Sequence, residues 1–144
     1  MNEEFQVLSN KVIKYLNDSI VVARMAHWCV EGSNFYEFHL MTDRIYNDLA
    51  DQMDPLVEQL RACGFMPKFE LLKGPGIEFD HNDCHYLGEL VLDYVMALSS
   101  TISMYSAFTT KYGHDPRLVG VGNQLQSMAS VVLTDQYLLQ SYLA

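Results

Sequence analysis

Apolar residues recur at every third or fourth position over four long stretches of this chain, a period that predicts an all-α bundle. Phe5, Leu8, Val12, Leu16, Ile20, Ala23, His27 and Val30 make one stripe of a helix expected over residues 4–31. Phe38, Met41, Ile45, Leu49, Met53, Leu56 and Leu60 make the stripe of a second, which runs to Cys63 with Gly64 just past its end. Gly32 stops the first helix, and Asn34-x-x-Glu37 has the form of a capping box opening the second. A third and unusually apolar helix is expected over about 84–112, through Leu87, Val91, Val95, Leu98, Ile102, Tyr105 and Phe108. Gly113 ends it. Asp115-Pro116 then supplies an N-cap carboxylate and a proline at the first helical position, and a fourth helix runs to about 142.

The stretch between the second and third helices, residues 65–83, carries Pro67, Gly74, Pro75 and Gly76 and holds no period. It reads as one long crossover, of the kind that joins parallel neighbours along the full length of a bundle. Asp54-Pro55 interrupts the second helix at a cost of ~3 kcal/mol and one hydrogen bond, which predicts a kink or a break at Asp54. Eight methionines at helical spacing read most simply as core. At 144 residues, 49% of them hydrophobic, the chain is expected to form a single domain over 1–144.

Composition removes several classes of function. Arg24 and Asp93 interrupt the best apolar runs, so no membrane span is expected. Met1-Asn2-Glu3-Glu4-Phe5 has neither the basic nor the apolar region of a signal peptide. Cys29, Cys63 and Cys84 form no paired framework and no Cys-x-x-Cys, which reads as reduced thiols in a cytoplasmic protein. Nine Lys and Arg against eighteen Asp and Glu give a formal net charge of -9, poorly suited to neutralising phosphates.

The chemistry concentrates between His27 and Gly64. Two imidazoles, His27 and His39, flank the Gly32-Ser33 turn at similar distances, and Asp43 lies one helical turn beyond His39. If the flanking helices are antiparallel, the histidines face one another across the hairpin. Asp54 and Glu58 form a second pair, four residues apart. A lone histidine on an apolar stripe is more often a core residue, and carboxylates on a helix flank are more often merely solvated. Together at these offsets, the five look like ligands for a hard or borderline metal. Yet fifteen residues at ~1.5 Å each put Asp54 roughly 22 Å from His39 along one helix. One ion cannot touch both ends. The halves are either unrelated or completed by another subunit, as a two-fold dimer would do twice.

At these residues the chain resembles the Dps miniferritins (DNA-binding proteins from starved cells) of the ferritin-like superfamily. The family pattern has His-Trp near the end of the first helix, a Gly-x-Asn-Phe turn, a histidine twelve residues after the first, Asp four residues on, and Asp-x-x-x-Glu further along. Here those are His27-Trp28, Gly32-Ser33-Asn34-Phe35, His39, Asp43, Asp54 and Glu58. The likeness is densest over residues 20–64. It extends through Tyr86-Leu87-Gly88-Glu89-Leu90 to Tyr137-Leu138-Leu139-Gln140-Ser141-Tyr142-Leu143.

The resemblance implies a ferritin-like four-helix bundle and a ferroxidase site shared between two subunits. His27, His39 and Asp43 would come from one and Asp54 and Glu58 from the other. It further implies a homo-oligomeric shell of twelve subunits built from dimers, Fe(II) as substrate, hydrogen peroxide or dioxygen as oxidant, and storage of ferric mineral. Trp28 would pack beside the site and intercept oxidising equivalents. The crossover is short for the family. Zn(II) suits the same five donors, so a non-catalytic metal-stabilised assembly is the rival. DNA protection is disfavoured, because the basic tails of DNA-binding family members have no counterpart in an acidic start and an uncharged end.

Two further metal patterns are weaker. Paired Glu-x-x-His motifs would mark a di-iron site inside the bundle, but Glu78 to His81 is the single instance and falls in the crossover. His81, Cys84 and His85 have metal-like spacing, but contacts of a loop and a helix start explain them more simply.

Overall fold

A computed structural model describes residues 2–144 and has the expected four helices. They are α1 (Glu3–Cys29), α2 (Phe35–Ala62), α3 (Cys84–Lys111) and α4 (Pro116–Leu143), with a short 3-10 turn at Phe69–Lys73 in the crossover. No strand occurs among the described residues. Met1, the first residue of the acidic opening, lies outside them.

The helix ends follow from local chemistry. Asn2 Oδ1 accepts from the Phe5 amide at 2.8 Å, and Asp83 accepts from the Tyr86 amide at 3.1 Å. Asp115 accepts from both the Arg117 side chain and its amide, which holds its carboxyl down at about 2. At the end of α2, Gly64 takes φ +87°. Its amide reaches Arg61 O at 2.9 Å while the Phe65 amide reaches Leu60 O at 3.0 Å, the paired bonds of a Schellman cap. Phe65 is thereby turned inward to stand edge-on to Phe5, 5.9 Å away.

The expected capping box is absent. Asn34 lies in the left-handed region at φ 63°, ψ 22°, and its side chain makes no cap bond. A capping side chain needs an extended backbone to reach the second or third amide; here the chain must reverse within a few residues after Gly32 (φ +94°). Asparagine serves the turn instead of the cap. Pro55 neither breaks nor ends α2, which is helical from Phe35 to Ala62.

Every residue of the first stripe is buried, His27 included. Core side chains such as Leu16, Leu49, Leu98 and Leu125 are fully enclosed, each contributing ~1.5–3 kcal/mol of transfer free energy. The helices run up, down, down and up. The top is marked by Glu31 N to Asn82 O (2.9 Å) and the bottom by the buried Ser9–Tyr105 hydroxyl contact. α1 packs on α2 and α3, and α4 on the same two. The parallel pair α2 and α3 is thus not a pair of neighbours, as expected, but a diagonal. The crossover lies along α1, held by Asn17 Nδ2 to Leu72 O (3.0 Å) and by Gly74 against Val21.

α3 corrects the expectation that no segment could span a membrane, since it is long and apolar enough by length and composition, with a window mean hydropathy of 1.2. Its apolar excess is used within the bundle, where Val91, Val95, Leu98 and Ile102 are buried.

One buried group opposes the fold. Asp135 on α4 is wholly enclosed, and no N–H or hydroxyl group donates to either of its oxygens. Burial pushes its carboxyl up to about 8, the adjacent Asp48 carboxyl on α2 adds to this, and Arg44 counters weakly. Asp48 is paired with Arg44 at 3.5 Å.

Two predictions follow from these positions. An acid whose folded-state value exceeds its unfolded one costs nothing at low pH and costs more as pH rises toward the folded value. Wild-type melting temperature should therefore fall between about pH 4 and pH 8, the window bounded by the ordinary and raised values of Asp135. Asp135→Asn should flatten that slope and melt higher at pH 8; melts followed by circular dichroism across that range check it. At the hairpin, Asn34→Ala should cost about 1 kcal/mol in urea unfolding, and Asn34→Gly little or nothing.

Candidate metal centre

The α1–α2 hairpin brings the two histidines together. Their rings stack with centroids 3.7 Å apart and planes 17° from parallel. His27 Nδ1 donates to His39 O at 2.7 Å, and His39 Nδ1 donates to His27 O at 3.0 Å. A carbonyl oxygen only accepts, so both Nδ1 atoms carry the hydrogen, and in the neutral ring with that tautomer Nε2 is the nitrogen with the lone pair. This exchange fixes ring orientation and tautomer as the outer-shell partners of metal-bound histidines do. Thr42 adds a contact to His27 Nδ1 at 3.3 Å while its own hydroxyl is spent on Phe38 O. Phe35 stacks on the other side of His39, 5.1 Å away.

Asp43, half-buried, follows one turn along α2. Its Oδ1 accepts from the Tyr46 hydroxyl at 3.0 Å, a bond that raises the phenol above its usual range. Asn47 Nδ2 approaches the same oxygen at 3.4 Å. Asp54 and Glu58 lie farther down α2, exposed and with no histidine beside them. Among the described residues no three of His, Cys, Asp or Glu converge closely enough to hold a metal ion. Within one chain the candidate residues fall into two separated groups, His27, His39 and Asp43 in one and Asp54 and Glu58 in the other.

The other candidates do not assemble. His81 is exposed and stands against Tyr86, and His85 reaches Glu89 at 3.3 Å. Cys84 belongs to the contacts around Tyr142. Trp28 is 67% exposed, and the aromatic ring edge-on to His27 is Tyr46 at 5.4 Å. Within one chain, then, the ring beside the histidines is not the expected Trp28. Sequence reasoning passed over Tyr46 and Thr42, although each sits three residues from a candidate ligand on the same helix.

Comparison with known proteins bears on fold and family. No family model matches the chain. The "DNA protection during starvation protein" of Listeria innocua is 36% identical over 64 residues, 44% of this chain and 40% of that protein. Its Helicobacter pylori namesake is 33% identical over 61 residues, 40% of this chain and 42% of that one. The chain thus spans about two fifths of the length of the curated relatives it matches. The fold match is broader. Dps from Thermosynechococcus elongatus superposes at a TM-score of 0.85 over 99% of this chain and 91% of its own, at 14% identity. Dps from Staphylococcus aureus does so at 0.82 over 99% and 97%, at 19% identity. The chain is thus similar to Dps proteins in part of its sequence and shares the four-helix fold of the Dps structures over nearly its whole length.

Proposed function

We propose that the protein is a ferroxidase of the Dps type, which takes Fe(II) as substrate, oxidises it with hydrogen peroxide and retains the ferric product inside a homo-oligomeric shell. The observation that carries this reading is the reciprocal His27–His39 bond, which leaves two oriented Nε2 donors beside Asp43. Asp54 and Glu58 lie exposed on the same helix, out of reach of that pair and open to another subunit.

In this reading an isologous dimer sets His27, His39 and Asp43 of one subunit against Asp54 and Glu58 of its mate, forming two equivalent sites. Imidazole nitrogens bind Fe(II) as borderline donors, and the three carboxylates favour the ferric state, which eases electron loss. Each peroxide takes one electron from each of two Fe(II) and two protons, and leaves as two waters. The net charge of -9 favours entry of cations and nucleation of ferric mineral on interior carboxylates. Twelve subunits are the expected shell, and the three cysteines, all free, suit a reducing cytoplasm. DNA is not a partner in this reading, since nine basic side chains against eighteen acidic ones leave little to neutralise phosphate.

Asp54→Ala with Glu58→Ala should abolish fast ferric absorbance after peroxide is added to the Fe(II)-loaded protein, while the helical spectrum stays unchanged. Unaltered kinetics in that variant would overturn the assignment. Co-assembly of this variant with His27→Ala/His39→Ala subunits should recover oxidation, because each mixed dimer then contains one intact site beside one doubly damaged site. Failure to recover in shells shown to be mixed would mean that the two groups do not meet across subunits. If wild type binds Zn(II) and assembles on it but consumes no oxidant, the site serves assembly instead.

A further inference from the structure

Arg24 is the unexplained cation of the hairpin. It is half-buried on α1, one turn before His27, and makes no ion pair among the described residues. Its guanidinium lies instead over the Tyr46 ring, 5.1 Å from the centroid. That ring is also edge-on to His27 at 5.4 Å, and its hydroxyl donates to Asp43 Oδ1 at 3.0 Å. In antiparallel register, Arg24 and Tyr46 form the layer beneath His27 and Asp43. One phenol thus holds a cation on its face and a candidate carboxylate at its hydroxyl.

Left to Coulomb attraction, an arginine this close to an aspartate would take it as a bidentate partner. A carboxylate so paired has fewer lone pairs for a metal and a neutralised charge. The aromatic face offers the guanidinium a different berth through cation–π attraction. The hydroxyl, meanwhile, occupies one Asp43 oxygen and leaves Oδ2 free.

We propose that Tyr46 is a positioning residue for metal binding at Asp43: it holds the carboxylate through Oδ1, leaves Oδ2 as the single ligating oxygen, and berths Arg24 away from it. The inference rests on the metal-binding reading of the hairpin. It adds two residues, Tyr46 and Arg24, that touch no metal themselves.

Co(II) alone, added to the full-length assembled protein, is the probe, because its ligand-field bands report coordination without turnover. Tyr46→Phe keeps the ring and removes the hydroxyl, and should weaken Co(II) binding by roughly 10–100-fold and alter the bands, as loss of an outer-shell partner does. Tyr46→Leu also removes the berth and should bind more weakly still. Adding Arg24→Gln to Tyr46→Leu should restore part of the loss, since no cation then remains to seize Asp43. A purely structural role for Tyr46 gives no such rescue. Wild-type affinity and unchanged bands in Tyr46→Phe, or no rescue in the double variant, overturn the inference while leaving the metal site standing. If wild type shows no Co(II) bands, the metal-binding reading itself fails, and this inference with it.

Discussion

A histidine that donates from Nδ1 to the carbonyl of the residue opposite can do so in only one register of two antiparallel helices. In this bundle two rings do it at once, each to the other's backbone. The exchange ties the end of α1 to the start of α2, spends both Nδ1 hydrogens and leaves both Nε2 atoms available. It also sets the layer beneath, in which Arg24 meets Tyr46 and Tyr46 meets Asp43. A shift of one residue between α1 and α2 would lose the ring stack, the hydroxyl contact and the cation–π contact together. Stability of the hairpin and readiness of the donors are thus one property of the register.

The bundle tolerates polar groups in its interior by satisfying them locally, and the few exceptions are informative. Thr42, Thr101, Thr109 and Ser19 return their hydroxyls to carbonyls of their own helix. Asp18 keeps a 2.6 Å bond to Lys14, although its second oxygen has no partner. Asp135 has no N–H or hydroxyl donor to either oxygen, and its raised carboxyl lets it stay neutral and hydrogen-bonded to Asp48. A neutral acid is far cheaper to bury than a carboxylate. The α2–α4 contact is accordingly a pH-sensitive seam, and its Arg44 and Asp48 adjoin Asp43 and Asn47 of the histidine hairpin along α2.

Much of this was legible in the residues, for reasons that can be stated. The stripe from Phe5 to Val30 predicted burial at each of its positions, because helical period alone decides which side chains share a face. The facing of His27 and His39 followed from their similar distances to one turn. What the sequence hid were relations that depend on rotamer and backbone detail. Asn34 looked like a cap because spacing says nothing of the sign of φ. Tyr46 looked like one more half-buried aromatic, since its role appears only once the Asp43 oxygen it touches is known. The diagonal placement of α2 and α3 was equally hidden: a long link is needed whether its two helices touch or not. In the proposed reading Asp54 and Glu58 meet a histidine pair only between chains, a relation that one chain's fold does not contain.

Pro55 carries a mechanical consequence. Having no amide hydrogen, it leaves the carbonyl of Asp51 without its helical donor, so one rung of the α2 ladder is missing. Residues 51, 54, 55 and 58 share a face of that helix. The missing rung therefore sits among exposed carboxylates, where water can take up the free oxygen, rather than on the core face that Leu49 and Leu56 bury. The helix stays continuous but is locally more compliant on that one side. The half of α2 that fixes the histidines is stiff and fully bonded, whereas the half that carries Asp54 and Glu58 can yield slightly along its axis. Any ion brought between two such surfaces meets one rigid jaw and one with some give.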